Sequence, residues 1–153
     1  WRYIAELNTQ FDDTLPKVMC IRDELNQVLL NIIINAAHAI EEKDRETENF
    51  FGKIDVLTFK EQEHAIIKIT DNGAGMTSEV SDRMFDPFYT TKCVGKGTGQ
   101  GLSLAYTVIV ERHKGKITAE SILGQGTTLT IALPLESTYS PTEVVTELAE
   151  EVI

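Results

Sequence analysis

The chain has 153 residues, of which 42% are hydrophobic and 25% charged, a composition typical of one globular domain. Its formal net charge of −10 argues against a nucleic-acid-binding protein, which would show a basic face. No apolar run approaches the roughly 18 residues that a membrane span needs, so we expect no membrane contact by this domain. Cys20 and Cys93 could pair in a disulfide, but a domain of this size needs none, so reduced thiols are favoured. Since the sequence begins at Trp1, we expect a fragment of a longer protein.

The first third of the chain predicts two strands, a helix and a loop. Alternating residues indicate strands at Arg2 to Phe11 and Lys17 to Ile21. Asp23 to Ile40 has the apolar spacing of an amphipathic helix, whereas Glu41 to Gly52 is charged and rich in turn formers, which favours an exposed loop. The buried stripe of the helix should consist of Leu25, Val28, Leu29, Ile32, Ile33, Ala36 and Ile40.

The remainder of the domain alternates between strand-like and helix-like segments. We first expect two antiparallel strands around the turn Lys60 to Glu63, namely Ile54 to Phe59 and Ala65 to Thr70. A short helix, a loop, a long helix and a closing hairpin should follow: Met76 to Phe85, Asp86 to Gly97, Gly99 to His113, and Lys116 to Ser121 with Thr127 to Leu133. The long helix should bury Leu102, Leu104, Ala105, Val108 and Ile109.

The composition changes near residue 136. From Glu136 to the end the chain carries five glutamates and no Lys or Arg. Ser140 and Pro141 have the pattern of a helix start, with a cap followed by proline in the first turn. We therefore assign residues 1–135 to a first domain and residues 136–153 to an acidic helix or linker.

A glycine-containing turn follows the strand that ends at Thr70. It reads Asp71-Asn72-Gly73-Ala74-Gly75-Met76. A carboxylate at a strand end can accept a hydrogen bond from an exocyclic amine such as that of adenine. Gly73 and Gly75 can adopt positive φ and let a flat ligand approach the backbone. The turn is therefore a candidate base-binding site.

A second glycine cluster leads into the second long helix. Gly97, Gly99 and Gly101 are separated by single residues, and Leu102 follows. Exposed N–H groups together with a helix N-terminus favour anions, so this segment is a candidate phosphate site.

Two asparagines lie in the middle of the first helix. Asn31 and Asn35 are four residues apart and therefore share a face. Asparagine is unfavourable inside helices, so two of them in an apolar helix indicate a function. Amide oxygens are suitable ligands for Mg²⁺, which completes its coordination with phosphates and water.

These segments together resemble four motifs of the sensor histidine kinases. Asn31 with Asn35 resembles the N box, Asp71 to Gly75 the G1 box, Phe85 to Phe88 the F box, and Gly97 to Gly101 the G2 box. The order and spacing also match the wider group of GHKL, or Bergerat-fold, ATPases. The resemblance covers roughly residues 4 to 134.

The resemblance implies an α/β (α+β) fold: a two-layer sandwich of a mixed, mostly antiparallel sheet with helices on one face. It also implies the ATP-binding catalytic domain of a bacterial two-component sensor kinase. Such a domain binds ATP with Mg²⁺, releases ADP, and donates the γ-phosphate to a histidine on a separate dimerisation and phosphoacceptor domain. A response regulator would be an indirect partner. The location would be cytoplasmic, and an anchor of the parent protein in the inner membrane is compatible with this.

The resemblance also assigns roles to individual residues. The metal ligand would be Asn35, assisted by Asn31, and the residues acting in transfer would be Asn31, His38 and Lys92. Nucleotide contacts would come from Asn31, Asn35, Asp71, Gly73, Gly75, Met76, Phe88, Thr91, Lys92, Gly97, Gly99, Gly101, Leu102 and Thr127.

The residue at position 31 separates the branches of this group. The gyrase, chaperone and mismatch-repair branches carry a water-activating glutamate where this chain has Asn31. An amide cannot act as a general base, so phosphoryl transfer to a protein acceptor is favoured over hydrolysis. A serine-kinase anti-sigma factor of the same fold is the alternative, although it normally keeps the glutamate. A non-catalytic interaction module would be expected to have lost these motifs.

Overall fold

The computed structural model describes residues 5–89 and 101–136. Its regular elements are five strands, three α-helices and one π-helical segment. In chain order they are β1 (Glu6–Phe11), α1 (Arg22–Glu46), β2 (Lys53–Glu61), β3 (His64–Asp71), α2 (Ser78–Arg83), α3 (Gly101–Tyr106), the π-helical segment Thr107–Arg112, β4 (Lys116–Ile122) and β5 (Gly126–Pro134).

The strands form one mixed sheet in the order β1-β2-β3-β5-β4. β1 pairs with β2 in parallel, and the other three pairs are antiparallel. Ile54, Ile69 and Ile131 of the sheet belong to the same buried cluster as Val28 and Ile109 of the helices. The helices therefore cover one face of a mostly antiparallel sheet, and the two-layer fold class is confirmed.

The opposite face of the sheet carries polar side chains at the end of the strands near Asp71. Thr70, Thr128 and Glu120 are paired across β3, β5 and β4 on this outer face. The hydroxyls of Thr70 and Thr128 lie 3.0 Å apart and form a hydrogen bond. A shift of one residue would move Ile69 and Leu129 out of the core and bring these threonines into it, so the register of these strands is strongly specified.

The helical periodicity of α1 determines how it packs on the sheet. Val28, Ile32, Ala36 and Ile40 recur every fourth residue and are all buried. Leu25, Leu29 and Ile33 border this stripe and are partly buried. Each buried aliphatic side chain larger than alanine contributes roughly 1.5–3 kcal/mol relative to an exposed one. The predicted buried stripe is confirmed, in four positions fully and in three partly.

The strand predicted at Lys17 to Ile21 is wrong. This segment has no regular structure and leads directly into α1. The backbone N–H of Ile21 donates to Nε2 of the buried His113, at 2.9 Å. A side chain thus satisfies this backbone group in place of a neighbouring strand. Of the predicted first strand, the part from Glu6 to Phe11 is confirmed, and residues 2–4 lie outside the described part of the chain.

The exposed loop predicted from residue 41 begins later than expected, because α1 continues to Glu46. Glu41 and Arg45 form an ion pair one turn apart, and Lys43 and Arg45 place positive charge in the last turn, where the helix dipole favours it. The charged composition that suggested a loop is the composition of an exposed helix end.

The other predicted elements are largely confirmed. β2 and β3 form the expected hairpin, but its turn is only Gln62 and Glu63, with φ of Gln62 at 53°. The closing hairpin also occurs, and the short helix is confirmed over Ser78–Arg83. Most of the predicted loop, residues 90–97, lies outside the described residues. The second long helix changes to π geometry after Tyr106. Leu104, which was predicted to be buried, is 42% exposed.

The predicted domain boundary and the predicted acidic C-terminal segment both lie near the end of the described part of the chain. β5 ends at Pro134, close to the expected domain boundary at residue 135. Most of the acidic segment, residues 137–153, lies outside the described part of the chain. Within residues 5–89 and 101–136, no helix combines the length and apolar character needed to cross a bilayer.

Candidate functional site

Three polar side chains form a row across the helix-facing side of the sheet. Asp71 ends β3 and is paired with Thr127 of β5, which is paired in turn with Ser121 of β4. Directly paired residues project on the same face, and Ile69 and Leu129, two positions along the same strands, are buried under the helices. Polar groups at the end of an apolar sheet face cost free energy unless they are hydrogen-bonded, either within the protein or to a ligand.

Asp71 is the central residue of this row. Its carboxylate accepts a hydrogen bond from the backbone N–H of Gly73, at 2.8 Å. Burial raises the pKa of Asp71 above its ordinary value. Hydrogen bonds from the backbone of Gly73 and Thr127 and the charge of Lys43 partly oppose this effect. The structure therefore holds a partly desolvated acceptor in a fixed direction.

Ser121 was missed by the sequence reasoning. Its hydroxyl lies 2.8 Å from Oγ1 of Thr127, accepts from the backbone N–H of Met76 at 2.8 Å, and donates to the carbonyl of Gly126 at 3.1 Å. The available signal was the alternation of β4, in which Ile117 is buried and Ser121 occupies the same inward-facing phase. A polar residue in that phase required a hydrogen-bonding partner.

The glycines around Asp71 permit close approach of backbone segments. A Cβ on Gly73 would lie 2.6 Å from the carbonyl carbon of Ala39 in α1, and the N–H of Ala74 donates to the Ala39 carbonyl at 2.9 Å. Gly75 and Gly126 have φ of 68° and 131°, and added Cβ atoms would collide with the carbonyl oxygens of Ile122 and Asp71. These contacts explain the glycines by packing, and contact with a ligand remains a prediction.

Lys43 and Asn72 hold the turn against α1. Nζ of Lys43 donates to the carbonyl of Asn72 at 2.9 Å and lies 4.8 Å from the centre of the Phe50 ring. The Asn72 side chain donates to the Phe51 carbonyl and accepts from the Lys53 N–H. Lys43 was missed because its segment was predicted to be a loop.

One stripe of α1 faces the candidate site. It consists of residues spaced by four: Asn31, Asn35, Ala39 and Lys43. A Cβ on Gly101 would lie 3.6 Å from Cγ of Asn31, whereas Ala39 contacts the turn at Gly73. Gly73 and Gly101 therefore contact α1 about two turns apart, about 12 Å along its axis. Asn35 lies between them.

The remaining predicted site residues lie in different surroundings. Met76 and Leu102 are partly buried against the core, and His38 is exposed. Phe85 packs against the core, with its ring centre 6.1 Å from that of Tyr106. Phe88 is 71% exposed with φ of 63°. The predicted contacts at Thr91, Lys92, Gly97 and Gly99 lie outside the described residues.

Comparison with known proteins identifies the family. The family described as "Histidine kinase-, DNA gyrase B-, and HSP90-like ATPase" matches residues 20–137. The chain is 37% identical over 134 residues to sporulation kinase E of Bacillus subtilis, covering 86% of this chain and 17% of that protein. It is 39% identical over 134 residues to the signal transduction histidine-protein kinase AtoS of Escherichia coli, covering 87% and 20%. The chain thus spans about a fifth of the length of these relatives.

Solved structures agree with this assignment. The nucleotide-free catalytic domain of histidine kinase ThkA superposes with a TM-score of 0.70 at 28% identity, over 86% of this chain and 80% of that one. The mycobacterial sensor histidine kinase MprB has the same fold, with a TM-score of 0.69 at 23% identity over 88% of this chain and 85% of that one. The chain therefore belongs to the family of histidine kinase-, DNA gyrase B- and HSP90-like ATPases, and its relatives include sensor histidine kinases.

Proposed function

We propose that this chain is the ATP-binding catalytic domain of a sensor histidine kinase. It binds ATP with Mg²⁺ and presents the γ-phosphate to a histidine on another domain of its parent protein. The phosphorylated histidine then supplies the phosphoryl group to a response regulator. The observation that carries this proposal is the arrangement of Asp71 and Gly101 near opposite ends of one helix stripe, with Asn31 and Asn35 on that stripe. A nucleotide likewise carries its base at one end and its phosphates at the other.

The end of the site at Asp71 fits an aminopurine base. The carboxylate is partly buried, and the N–H of Gly73 fixes its orientation. A hydrogen bond to a charged acceptor contributes about 1.5–3 kcal/mol, and more of that remains when water is excluded. Thr127, which is only 9% exposed, lies beside Asp71 in the row. Because of this adjacency, its hydroxyl can contribute a second polar contact to the base.

The end of the site at Asn31 fits phosphates and a divalent ion. Asn31 and Asn35 offer neutral amide oxygens, and Mg²⁺ takes few protein ligands when phosphates and water complete its coordination. Bound Mg²⁺ would neutralise charge on the transferring phosphoryl group. Lys92 is the sequence's candidate for a cation near the phosphates, which an acidic domain must supply locally.

Transfer is favoured over hydrolysis because of the residue at position 31. Oδ1 of Asn31 accepts a hydrogen bond from Nε2 of Gln27 at 3.1 Å. An amide has no basic pKa with which to deprotonate water, so this position cannot supply a general base. Phosphoryl transfer by positioning and charge neutralisation needs an incoming acceptor side chain instead.

Titration calorimetry with Mg-ATP tests the nucleotide site. We expect Asp71→Ala to weaken binding roughly 10- to 150-fold, because it removes a charged hydrogen-bond acceptor. The matched control is Glu120→Ala, which removes a carboxylate from the exposed outer face of β4 and should leave the affinity unchanged. Equal affinity of wild type and Asp71→Ala would refute the base-binding site.

A transfer assay tests the reaction. The chain is mixed with the separately produced phosphoacceptor domain of its parent protein and ATP labelled on the γ-phosphate. The proposal expects acid-labile label on a histidine of that domain and little free phosphate from the chain alone. Label on a serine of a partner would instead identify the anti-sigma-factor alternative, and rapid release of phosphate without an acceptor would contradict transfer.

A further inference from the structure

We infer that Ser121 is a positioning residue for base selection: it orients the hydroxyl of Thr127 so that Thr127 presents a hydrogen-bond acceptor to the nucleotide base. This inference rests on the proposed ATP site and adds a specificity determinant to it. Its consequence is selection of a 6-amino purine over a 6-oxo purine.

The hydrogen bonds around Ser121 allow one arrangement that satisfies every group. A serine hydroxyl has one proton to donate and two lone pairs that accept. The N–H of Met76 can only donate to it, and the carbonyl of Gly126 can only accept from it. One lone pair then remains for the contact of 2.8 Å with Oγ1 of Thr127. Thr127 is therefore the donor in that contact.

This arrangement determines what Thr127 can offer to a ligand. Once its proton is directed to Ser121, the Thr127 hydroxyl has only lone pairs left. Its neighbour in the row, Asp71, is also an acceptor when ionised. Two adjacent acceptors on neighbouring strands match an amino group, either directly or through a bridging water.

A 6-oxo purine would place a carbonyl oxygen against these acceptors. Because Thr127 is almost fully buried, an unpaired polar contact there is costly. Sites that use buried hydrogen-bonding groups reject analogues that leave those groups unpaired. In Ser121→Ala, the Thr127 hydroxyl loses its acceptor and becomes free to rotate and donate to the oxygen of a 6-oxo base.

The test compares Mg-ATP with Mg-ITP, which carries oxygen in place of the amino group, by titration calorimetry. We expect wild type to bind ITP more weakly than ATP, and Ser121→Ala to reduce this preference roughly tenfold. Ser121→Thr keeps the hydroxyl and should keep the preference. In a Thr127→Val background, Ser121→Ala should no longer change the preference, because the hydroxyl that it orients is absent.

A purely structural role for Ser121 gives a different result. It would weaken ATP and ITP in parallel and leave their ratio unchanged, which would overturn the inference. An equal change of the ratio in the Thr127→Val background would also overturn it. If Asp71→Ala weakens ATP binding while the ratio in Ser121→Ala stays constant, this inference fails and the proposed function stands. If Asp71→Ala has no effect, the proposed function itself fails.

Discussion

Burial of the Asp71 carboxyl has a consequence for the stability of the fold. Burial raises its pKa, which means that the folded protein binds a proton on this group more tightly than the unfolded chain does. By linkage, the contribution of Asp71 to stability is largest at low pH and is lost as the pH rises through its raised pKa. At neutral pH the ionised carboxylate therefore destabilises the fold.

Asp71→Asn should remove this dependence on pH. The variant keeps an oxygen for the N–H of Gly73 but carries no charge. Relative to the variant, wild type should lose stability as the pH rises above about 4, as measured by urea denaturation at a series of pH values. The same variant should bind Mg-ATP more weakly, since it removes the charged acceptor.

The control for this prediction is Asp55→Asn. It makes the same chemical change on the exposed outer face of β2. A pH-dependent stability difference of the same size and sign at Asp55 would show that burial of Asp71 is not the cause.

Among the contacts between elements, the one between α1 and the turn after β3 positions the candidate site. It consists of close backbone packing at Gly73, the Ala74–Ala39 hydrogen bond, and Lys43 bonded to the Asn72 carbonyl. α1 carries the asparagines, and the turn directly follows Asp71, the last residue of β3. This contact therefore sets the distance between the two halves of the site.

Gly73→Ala should disturb this contact. Its Cβ would lie 2.6 Å from the carbonyl carbon and 2.8 Å from Cβ of Ala39, and helix backbone cannot move to accommodate it without a shift of α1. We expect a loss of about 1–3 kcal/mol in the free energy of unfolding, measured by urea denaturation. Gly101→Ala is the control for stability, because its Cβ would meet Asn31 at an ordinary 3.6 Å. Equal stability of Gly73→Ala and wild type would show that this contact is not tightly packed.

The π-helical segment positions His113 and Arg112 against the residues at the start of α1. The π-helical segment Thr107–Arg112 places His113 so that Nδ1 lies 2.7 Å from the Val108 carbonyl and Nε2 accepts from Ile21. Arg112 also pairs with Glu24 in the first turn of α1. π geometry is uncommon and often occurs near functional sites. Here the π-helical segment follows α3, and through His113 and Arg112 it connects α3 to the start of α1.

In the whole molecule, the candidate site lies at one end of the sheet, beneath α1. β3 ends there at Asp71, β4 ends at Ile122 and β5 begins at Gly126. Ligands that bind across several elements stabilise the folded state by mass action, by about 2.7 kcal/mol at a concentration of 100 times Kd.

Mg-ATP at such a concentration should therefore raise the midpoint of thermal unfolding by about 5–10 °C. Chelation of Mg²⁺ should remove much of the increase, and Asn35→Ala should weaken binding in Mg²⁺ but have little effect in its absence, because the amide acts through the metal. An increase that is the same with and without Mg²⁺ would contradict a metal-assisted site.

Much of the architecture was predictable because it depends on local periodicity. The spacing of four in α1 predicted buried residues such as Ile32, and the alternation in β2, β3 and β5 predicted the strands themselves. The spacing of Asp71, the glycines and the asparagines was enough to indicate the family, since these are short motifs with their own geometry. The predicted end of α1 was wrong, because the composition of its charged last turns resembles that of a loop.

Other features depended on contacts between residues distant in the sequence, and no local pattern contains these. Ser121 and Met76 are 45 residues apart and Lys43 and Asn72 are 29 apart, yet both pairs are hydrogen-bonded. The sequence by itself determined the order of the motifs, the periodicity of the elements and the chemical types of the groups at the site. Only the tertiary structure decided that Asp71, Thr127 and Ser121 form one row and that one stripe of α1 contacts both Gly73 and Gly101, because strand order and helix packing arise from burial of the whole chain.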